Sequence, residues 1–312
     1  MYSVCSVGEF SLKIGVDGGG TKTECILVDD AGTIVARQLA PGCNPNVVGT
    51  DTARQIVTDA LRALTLSLNP RPSTLNSVVR RTHLYMSGAP SFWQEFAASL
   101  DGFGQVTASP DSLPTLELAT DGKPGLVLHS GTGSFVAARA PDGTVHYAGG
   151  TGWRFGDPGS GYELGRRAIA RALLELQGWL PASRLGPAVR AHTELGDDAD
   201  VRAVTRYFYA HAEPNRVIAA LAPTVLGLAT DGDATARAVV IESAAELLDL
   251  ALHVAGKLFP GTPHADIPTG LSGALLINPV VATALGARTS LRFQPITAAP
   301  IEGVRRLLAR DR

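Results

Sequence analysis

The sequence predicts an α/β protein made of two lobes built on one plan. Short apolar runs alternate with segments whose apolar residues recur every three or four positions, the pattern of strands alternating with helices. The succession strand, glycine loop, strand, Asp-containing turn, strand occurs once near residue 20 and again near residue 130. A chain of 312 residues is long enough for two such lobes.

The first copy begins with the apolar run 12–16, which the glycine loop from Asp17 to Thr23 follows. A second run ends at Val28, and a third run, to Leu39, follows the turn 29–32. This order predicts three antiparallel strands. A helical pattern covers 51–66, and further strands are predicted at 82–86 and 106–108.

The second copy repeats this order with predicted strands at 125–128, 135–139 and 144–147. Helical patterns follow at 159–176 and between Ala236 and Ala251. The segment 179–223 is interrupted by prolines and a glycine, which indicates helices mixed with loops. A last strand is predicted at 266–271.

Composition excludes several classes of partner. The formal net charge is -2, so no summed positive field would attract nucleic acid or an anionic membrane. The three cysteines, Cys5, Cys25 and Cys43, form neither a CxxC pair nor an even disulfide set, which favours a reducing compartment. The sequence has no run of eighteen apolar residues and no export signal at Met1 to Phe10. We therefore expect a cytoplasmic protein without nucleic-acid or membrane partners.

Two glycine loops are candidate phosphate-binding elements, because glycines after a strand let backbone N–H groups converge on an anion. In the first loop the Thr21 hydroxyl can donate to a phosphate oxygen, and Asp17 can hold a hydrated Mg²⁺. The loop Ser130 to Ser134 has the same hydroxyl and glycine chemistry. Either loop alone also fits a plain hairpin turn, whereas the pair favours a nucleoside triphosphate between two lobes. Neither has the form of a P-loop or a dinucleotide-binding motif.

A third glycine segment, Pro268 to Ala274, follows the start of the last predicted strand at Asp266 and Ile267. It fits an ordinary turn from strand to helix. In the context of two phosphate loops, it also fits a surface on which an adenosine lies flat against the backbone.

The ordered motifs GVDGGGTKTE, PGCNPNVVG, HSGTGSF, GWRFGDPGSGYELGRRA and TGLSGALLINP resemble the BadF/BadG-type members of the sugar kinase, Hsp70 and actin superfamily. Within it they are most similar to the N-acetylglucosamine and glucosamine kinases. The resemblance implies two ribonuclease H-like lobes, each a mixed five-stranded sheet flanked by helices, with an interlobe cleft. Residues 1–119 with a C-terminal helix 300–312 would form one lobe, and 120–299 the other. It also implies ATP and Mg²⁺ as cofactors, a homodimer, and phosphorylation of an amino sugar at its 6-hydroxyl.

Carried over by position, the resemblance implies three groups of site residues. ATP would be bound by Asp17, Gly18, Gly19, Gly20, Thr21, Lys22, Ser130, Gly131, Thr132, Gly133, Ser134, Gly270, Ser272 and Gly273, with Mg²⁺ on Asp17. The sugar would be bound by Asn44, Asp111, Thr132, Gly150, Asp157 and Gly161.

Asp111 matches the family's catalytic aspartate, and a carboxylate there can take the proton of an attacking hydroxyl. Asp111 also fits a helix N-cap, and its rival Asp121 fits a plain turn. For Asn44 the alternative is a polar turn, and for Asp157 it is a helix cap.

The sequence departs from the family pattern at a few positions. Ser272-Gly273-Ala274 stands where many relatives have two adjacent glycines, and Pro114 and Glu117 replace small apolar residues after Asp111. Trp153 lies two positions from the usual tryptophan. These departures keep open a sugar- or nucleotide-sensing protein with weak catalysis. A third hypothesis, an ATPase that passes electrons from a shared iron–sulfur cluster, needs thiolate ligands, and no cysteine follows Cys43.

Overall fold

The computed structural model describes residues 11–66, 79–196 and 198–310. The chain divides into two compact units. The first comprises the described residues up to Leu118 together with those from Ala298 onward, and the second is Ala119–Thr297. Each unit contains one mixed five-stranded sheet flanked by helices. The predicted α/β fold, with one plan used twice, is confirmed.

The first unit's sheet has the order β3-β2-β1-β4-β5. Its strands are β1 Leu12–Gly18, β2 Lys22–Val28, β3 Ile34–Pro41, β4 Val79–Met86 and β5 Gln105–Pro110. The first three are antiparallel, as predicted, and β4 and β5 run parallel to β1. The helices are α1 Pro45–Val48, α2 Thr50–Leu66, α3 Pro90–Ser99, α4 Ser112–Thr120 and the C-terminal helix Pro300–Arg310.

Both faces of this sheet are covered, because successive strand residues point to opposite sides. Cys25 and Leu27 pack in a core with α2 and α3, whereas Ile26 packs in a second core with the C-terminal helix. Gly15 permits that second contact, since a Cβ there would lie 2.3 Å from the Cγ1 atom of Val304. The C-terminal helix is therefore an integral part of the first unit.

The second unit's sheet has the order β10-β9-β6-β7-β8, with the same directions as the first. Its strands are β6 Gly125–Ser130, β7 Ser134–Arg139, β8 Val145–Gly149, β9 Thr269–Ser272 and β10 Phe293–Ile296. The strand predicted at 266–271 begins later, because His264–Asp266 forms a 3₁₀ turn and Pro268 has no N–H for the ladder. No pattern predicted β10.

Eight helices of the second unit lie in the described chain. They are α5 Gly161–Leu176, α6 Leu185–Thr193, α7 Val201–Ala210, α8 Pro214–Ala219, α9 Ala222–Thr230, α10 Ala234–Leu258, α11 Ala274–Ile277 and α12 Pro279–Gly286. Val240, Leu247 and Ala251 of α10 lie in the core, as the periodicity predicts. Within the described ranges, no helix combines the length and apolarity needed to span a bilayer.

Candidate active site

The first glycine loop is held at its base and open at its tip. Gly18 lies in a tight space, since a Cβ there would be 2.4 Å from Met86 Cε and 2.9 Å from Cys43 Sγ. The Cys43 N–H donates to the Gly19 carbonyl at 3.0 Å. Around Gly20 there is open space, and Thr21 beside it is exposed. Such a loop can accept an anion at its tip without moving its anchored residues.

Two carboxyl groups of the first unit interact electrostatically near this loop. Burial raises the pKa of Asp17 to about 7, and the charge of Asp111 adds to the rise. Of the smaller effects, Lys22 lowers this pKa and Glu24 raises it. Burial also raises the pKa of Asp111 to about 6, against the effect of backbone hydrogen bonds from Asp111 itself and Ser112. Paired carboxyls with such pKa values are typical of functional sites, and a general base works best with a pKa close to the working pH.

Glu24 belongs to this group, although it was not among the predicted site residues and only ends the motif GVDGGGTKTE. It is buried on β2 in direct register with Asp17 on β1. Its carboxylate pairs with Arg37 at 2.8 Å and with Lys22 at 3.3 Å. Lys22, predicted to bind nucleotide, is thus engaged with Glu24 in this structure.

Asn44 lies in a turn, as the alternative interpretation predicted. Its Oδ1 accepts from the Asn46 N–H at 2.9 Å and caps α1. The same oxygen lies 2.8 Å from a Cβ built on Gly88, in the loop after β4. Asp121, the rival of Asp111, is exposed in a turn with φ 50°. The structure therefore places Asp121 in a turn, as its alternative interpretation predicted.

In the second unit, Ser130 and Ser134 anchor the second glycine loop. The Ser130 hydroxyl donates to the Gly159 carbonyl at 2.5 Å, and the Ser134 hydroxyl donates to the Pro158 carbonyl at 2.7 Å. The Gly161 N–H donates to the Gly131 carbonyl at 2.8 Å. These bonds join the loops 130–134 and 157–161 and bring Gly161 to the loop. Exposed Thr132 remains at the loop tip.

Asp157 lies at the junction of these two loops. It is buried, its Oδ1 accepts from the Gly152 N–H at 3.1 Å, and its Oδ2 would be 3.0 Å from a Cβ on Gly133. Burial raises the pKa of this carboxyl, although the Gly152 bond opposes the rise. The helix-cap interpretation of Asp157 is wrong, because Ser160 caps α5 by accepting from the Glu163 N–H.

The third glycine segment contacts the second loop directly. Gly273 has φ +94°, and a Cβ there would lie 1.7 Å from the Ser130 carbonyl oxygen. At Gly270 a Cβ would lie 2.7 Å from that of Ala119. Gly150 has φ +63° and abuts the Tyr147 hydroxyl, without a described contact to either loop.

A cavity of about 580 Å³ adjoins Asp157. Its lining residues are Trp153, Arg154, Gly156, Asp157, Pro158, Tyr162, Glu163, Arg166 and Glu246. The Trp153 and Tyr162 rings are 5.4 Å apart, and Arg166 pairs with Glu163 at 2.8 Å. Aromatic faces with a few fixed polar groups suit a small polar ligand such as a sugar. Of these residues, only Asp157 was predicted to contact the ligand.

The residues fit the cofactors that the resemblance implies. Mg²⁺ is usually bound by one or two carboxylates together with substrate phosphates, and Asp17 beside Asp111 offers such carboxylates. No cluster of three His, Cys, Asp or Glu with metal-binding geometry lies among the described residues. Cys25 and Cys43 are free and buried, and burial raises their pKa values to about 12 and about 11.

Comparisons with known proteins identify the family to which this chain is similar. The sequence profile of the BadF/BadG/BcrA/BcrD ATPase family matches residues 14–286. The chain is 26% identical over 259 residues to N-acetyl-D-glucosamine kinase of Dictyostelium discoideum, covering 78% of this chain and 79% of that protein. It is 24% identical over 239 residues to N-acetylmuramic acid/N-acetylglucosamine kinase of Clostridium acetobutylicum, covering 75% and 76%.

A solved structure with similar sequence has the same fold. The protein comes from Chromobacterium violaceum and is provisionally named an N-acetylglucosamine kinase. It superposes with a TM-score of 0.75 at 28% identity, over 96% of this chain and 99% of that one.

Proposed function

The chain belongs to the BadF/BadG/BcrA/BcrD ATPase family, and on that premise we propose that it transfers a phosphoryl group from ATP to the 6-hydroxyl of N-acetylglucosamine or glucosamine. The observation that carries the proposal is the pair of partly buried, electrostatically coupled carboxyls of Asp17 and Asp111, with pKa values of about 7 and about 6. The names of the relatives support an amino sugar as the acceptor.

Asp111 is the proposed general base. Its carboxylate accepts the proton of the sugar 6-hydroxyl while the sugar oxygen forms its bond to phosphorus and the bond to the leaving phosphate breaks. With a pKa of about 6, Asp111 is mostly ionised at neutral pH and still basic enough to take the proton. A base of this kind contributes about a hundredfold to ten-thousandfold in rate. Asp17 is the proposed Mg²⁺ ligand, and the ion supplies positive charge to the phosphate oxygens when bound.

The second unit is proposed to bind both nucleotide and sugar. Thr132 and the backbone of Gly131 and Gly133 would contact phosphate, and Gly270 and Gly273 would lie against the adenosine. Asp157 would accept from sugar hydroxyls, since an analogue without them leaves a buried carboxylate unpaired. Asn44, Gly150 and Gly161 are the further proposed sugar contacts. A homodimer in the cytoplasm stays a prediction.

The test is ADP release by the purified protein with Mg-ATP and one sugar at a time. The panel contains N-acetylglucosamine, glucosamine, N-acetylmannosamine, N-acetylmuramic acid, glucose and a blank without sugar. We expect release that depends on one of the first two sugars, with the phosphate at the 6-position by NMR. ADP release equal to the blank for every sugar, with nucleotide binding intact, would contradict the proposal and favour a sensor.

The role of Asp111 is tested separately with Asp111→Asn and the matched control Asp121→Asn. The first variant should bind ATP and sugar normally and turn over at least about a hundredfold more slowly. The second should behave as the unmodified protein, because Asp121 is exposed in a turn. Normal turnover of Asp111→Asn would exclude Asp111 as the base.

A further inference from the structure

His129 immediately precedes the second glycine loop, and its side chain has no role in the proposed mechanism. It lies near the end of β6, in register with Ser272 on β9 and Phe135 on β7. Strands β6 and β9 are parallel, so the loops that follow them leave from the same edge of the sheet. His129 therefore lies under both loops of the second unit that are proposed to bind nucleotide.

The imidazole ring is fixed in orientation. Its Nδ1 lies 3.1 Å from the Ser272 hydroxyl oxygen. One face stacks on Phe135, with 4.8 Å between ring centroids and 22° between planes, and Phe135 in turn packs on Tyr147 at 5.2 Å. A hydrogen bond on one edge and a stack on one face leave the ring no free rotation.

The other ring nitrogen faces the loop. A Cβ built on Gly131 would lie 3.2 Å from Nε2, so Nε2 is next to the first glycine of the loop. Within the described ranges, Nδ1 is hydrogen-bonded and Nε2 has no hydrogen-bond partner. Burial lowers the pKa of His129 to about 4, so the ring is neutral at pH 7. A neutral imidazole has one N–H, and if Nδ1 accepts from the Ser272 hydroxyl, that N–H is on Nε2.

We propose that the Nε2–H group of His129 donates a hydrogen bond to the polyphosphate of the bound nucleotide. The proposal rests on ATP use, which is part of the proposed function. It adds a side-chain donor to a loop whose two serine hydroxyls already donate to backbone carbonyls. A hydrogen bond to a charged oxygen contributes more than one between neutral groups, so its loss should weaken nucleotide binding about tenfold.

Two substitutions separate the two ring nitrogens. The amide of glutamine reaches the position of Nε2, whereas that of asparagine reaches only the position of Nδ1. Binding of adenosine, ADP and a non-hydrolysable ATP analogue is measured by calorimetry without sugar. We expect His129→Asn to weaken binding of ADP and the analogue about tenfold and to leave adenosine unchanged. His129→Gln should stay within about threefold of the unmodified protein for all three ligands.

The matched control is His83→Gln in the first unit. His83 also stacks on an aromatic strand neighbour, Tyr85, but both of its nitrogens lie within hydrogen-bond distance of hydroxyls, those of Ser109 and Thr107. This substitution should leave all three dissociation constants unchanged. Two results would overturn the phosphate contact and indicate that His129 only positions Ser272. One is an equal loss of affinity for adenosine and ADP in His129→Asn. The other is normal ADP binding in His129→Asn together with weakened ADP binding in His129→Gln.

A measurement on the unmodified protein covers the case in which a variant fails to fold. The ¹⁵N shifts of the His129 ring should show a proton on Nε2, and that signal should move on addition of ADP and stay in place with adenosine. A proton on Nδ1, or equal shifts with both ligands, would overturn the proposal. Nucleotide binding with the expected pattern, but no sugar-dependent ADP release, would reject phosphotransfer and retain the His129 contact.

Discussion

Replacing Asp111 with asparagine removes a carboxyl whose ionisation the folded protein disfavours. Burial raises its pKa from 3.8 to about 6. Below pH 3.8 the carboxyl is protonated in both the folded and unfolded chain, so the substitution changes stability little. Between pH 3.8 and about 6 the unfolded chain loses this proton first, and the folded state is progressively destabilised. Above that range the destabilisation is complete.

The magnitude follows from the two pKa values. A difference of one unit between the folded and unfolded pKa corresponds to about 1.36 kcal/mol. The difference between 3.8 and about 6 therefore gives an upper bound of about 3 kcal/mol on the destabilisation. Partial exposure of Asp111 reduces this bound, so we expect Asp111→Asn to raise the free energy of unfolding by about 1–3 kcal/mol at pH 8. Loss of the Asp111 charge also removes one cause of the raised pKa of Asp17. This change likewise raises the free energy of unfolding of the variant at pH 8.

The assay is urea unfolding at pH 4 and pH 8 in the presence of EDTA, with Asp121→Asn as the control. Asp111→Asn should be more stable than the unmodified protein at pH 8 and equal to it at pH 4, while its turnover falls. A variant that is equally or less stable at pH 8 would refute the burial argument. The role of Asp111 as the base would still be decided by the turnover of the same variant.

The remaining predictions concern three other features. Gly273→Ala should lower stability by about 1–3 kcal/mol and abolish nucleotide binding, because of its positive φ and the 1.7 Å approach to a carbonyl oxygen. The control Gly256→Ala, in open space on a helix, should raise stability by up to about 1 kcal/mol in the same thermal unfolding assay. Asp157→Asn should raise the KM for sugar about tenfold or more with a smaller effect on the KM for ATP; steady-state kinetics showing equal effects would reject sugar contact. Cys25 and Cys43 should resist iodoacetamide at pH 8 in the native protein and react in guanidinium, as peptide mass spectrometry would show.

The sequence predicted those parts of the fold that local pattern determines. Glycine loops follow directly after apolar strands, so the positions of Gly18 and Gly131 could be identified from neighbouring residues alone. The long helix α10 could be predicted from its regularly spaced apolar residues, which the structure buries. Strand β10 was missed because it has four residues and contains Pro295, which an edge strand tolerates.

Site features that depend on distant partners could not be predicted. The hydroxyls of Ser130 and Ser134 were expected to face phosphate, but they donate to carbonyls 29 and 24 residues away. His129 was not among the predicted site residues. Its ring is oriented by Ser272, which lies 143 residues later and is brought beside it only by the register of β6 and β9. Glu24 was overlooked for the same reason, since its register with Asp17 is a property of the folded hairpin.

The packing of the C-terminal helix on β1 has a consequence for the order in which the chain folds. The Lys13 Nζ donates to the Leu308 carbonyl at 2.9 Å, although 295 residues separate them. During synthesis the opposite face of the first sheet, including Ile26 and Val28, stays exposed until that helix emerges from the ribosome. The unit made first is thus completed last, and we expect chains that stall before Pro300 to depend on chaperones that bind exposed apolar strands.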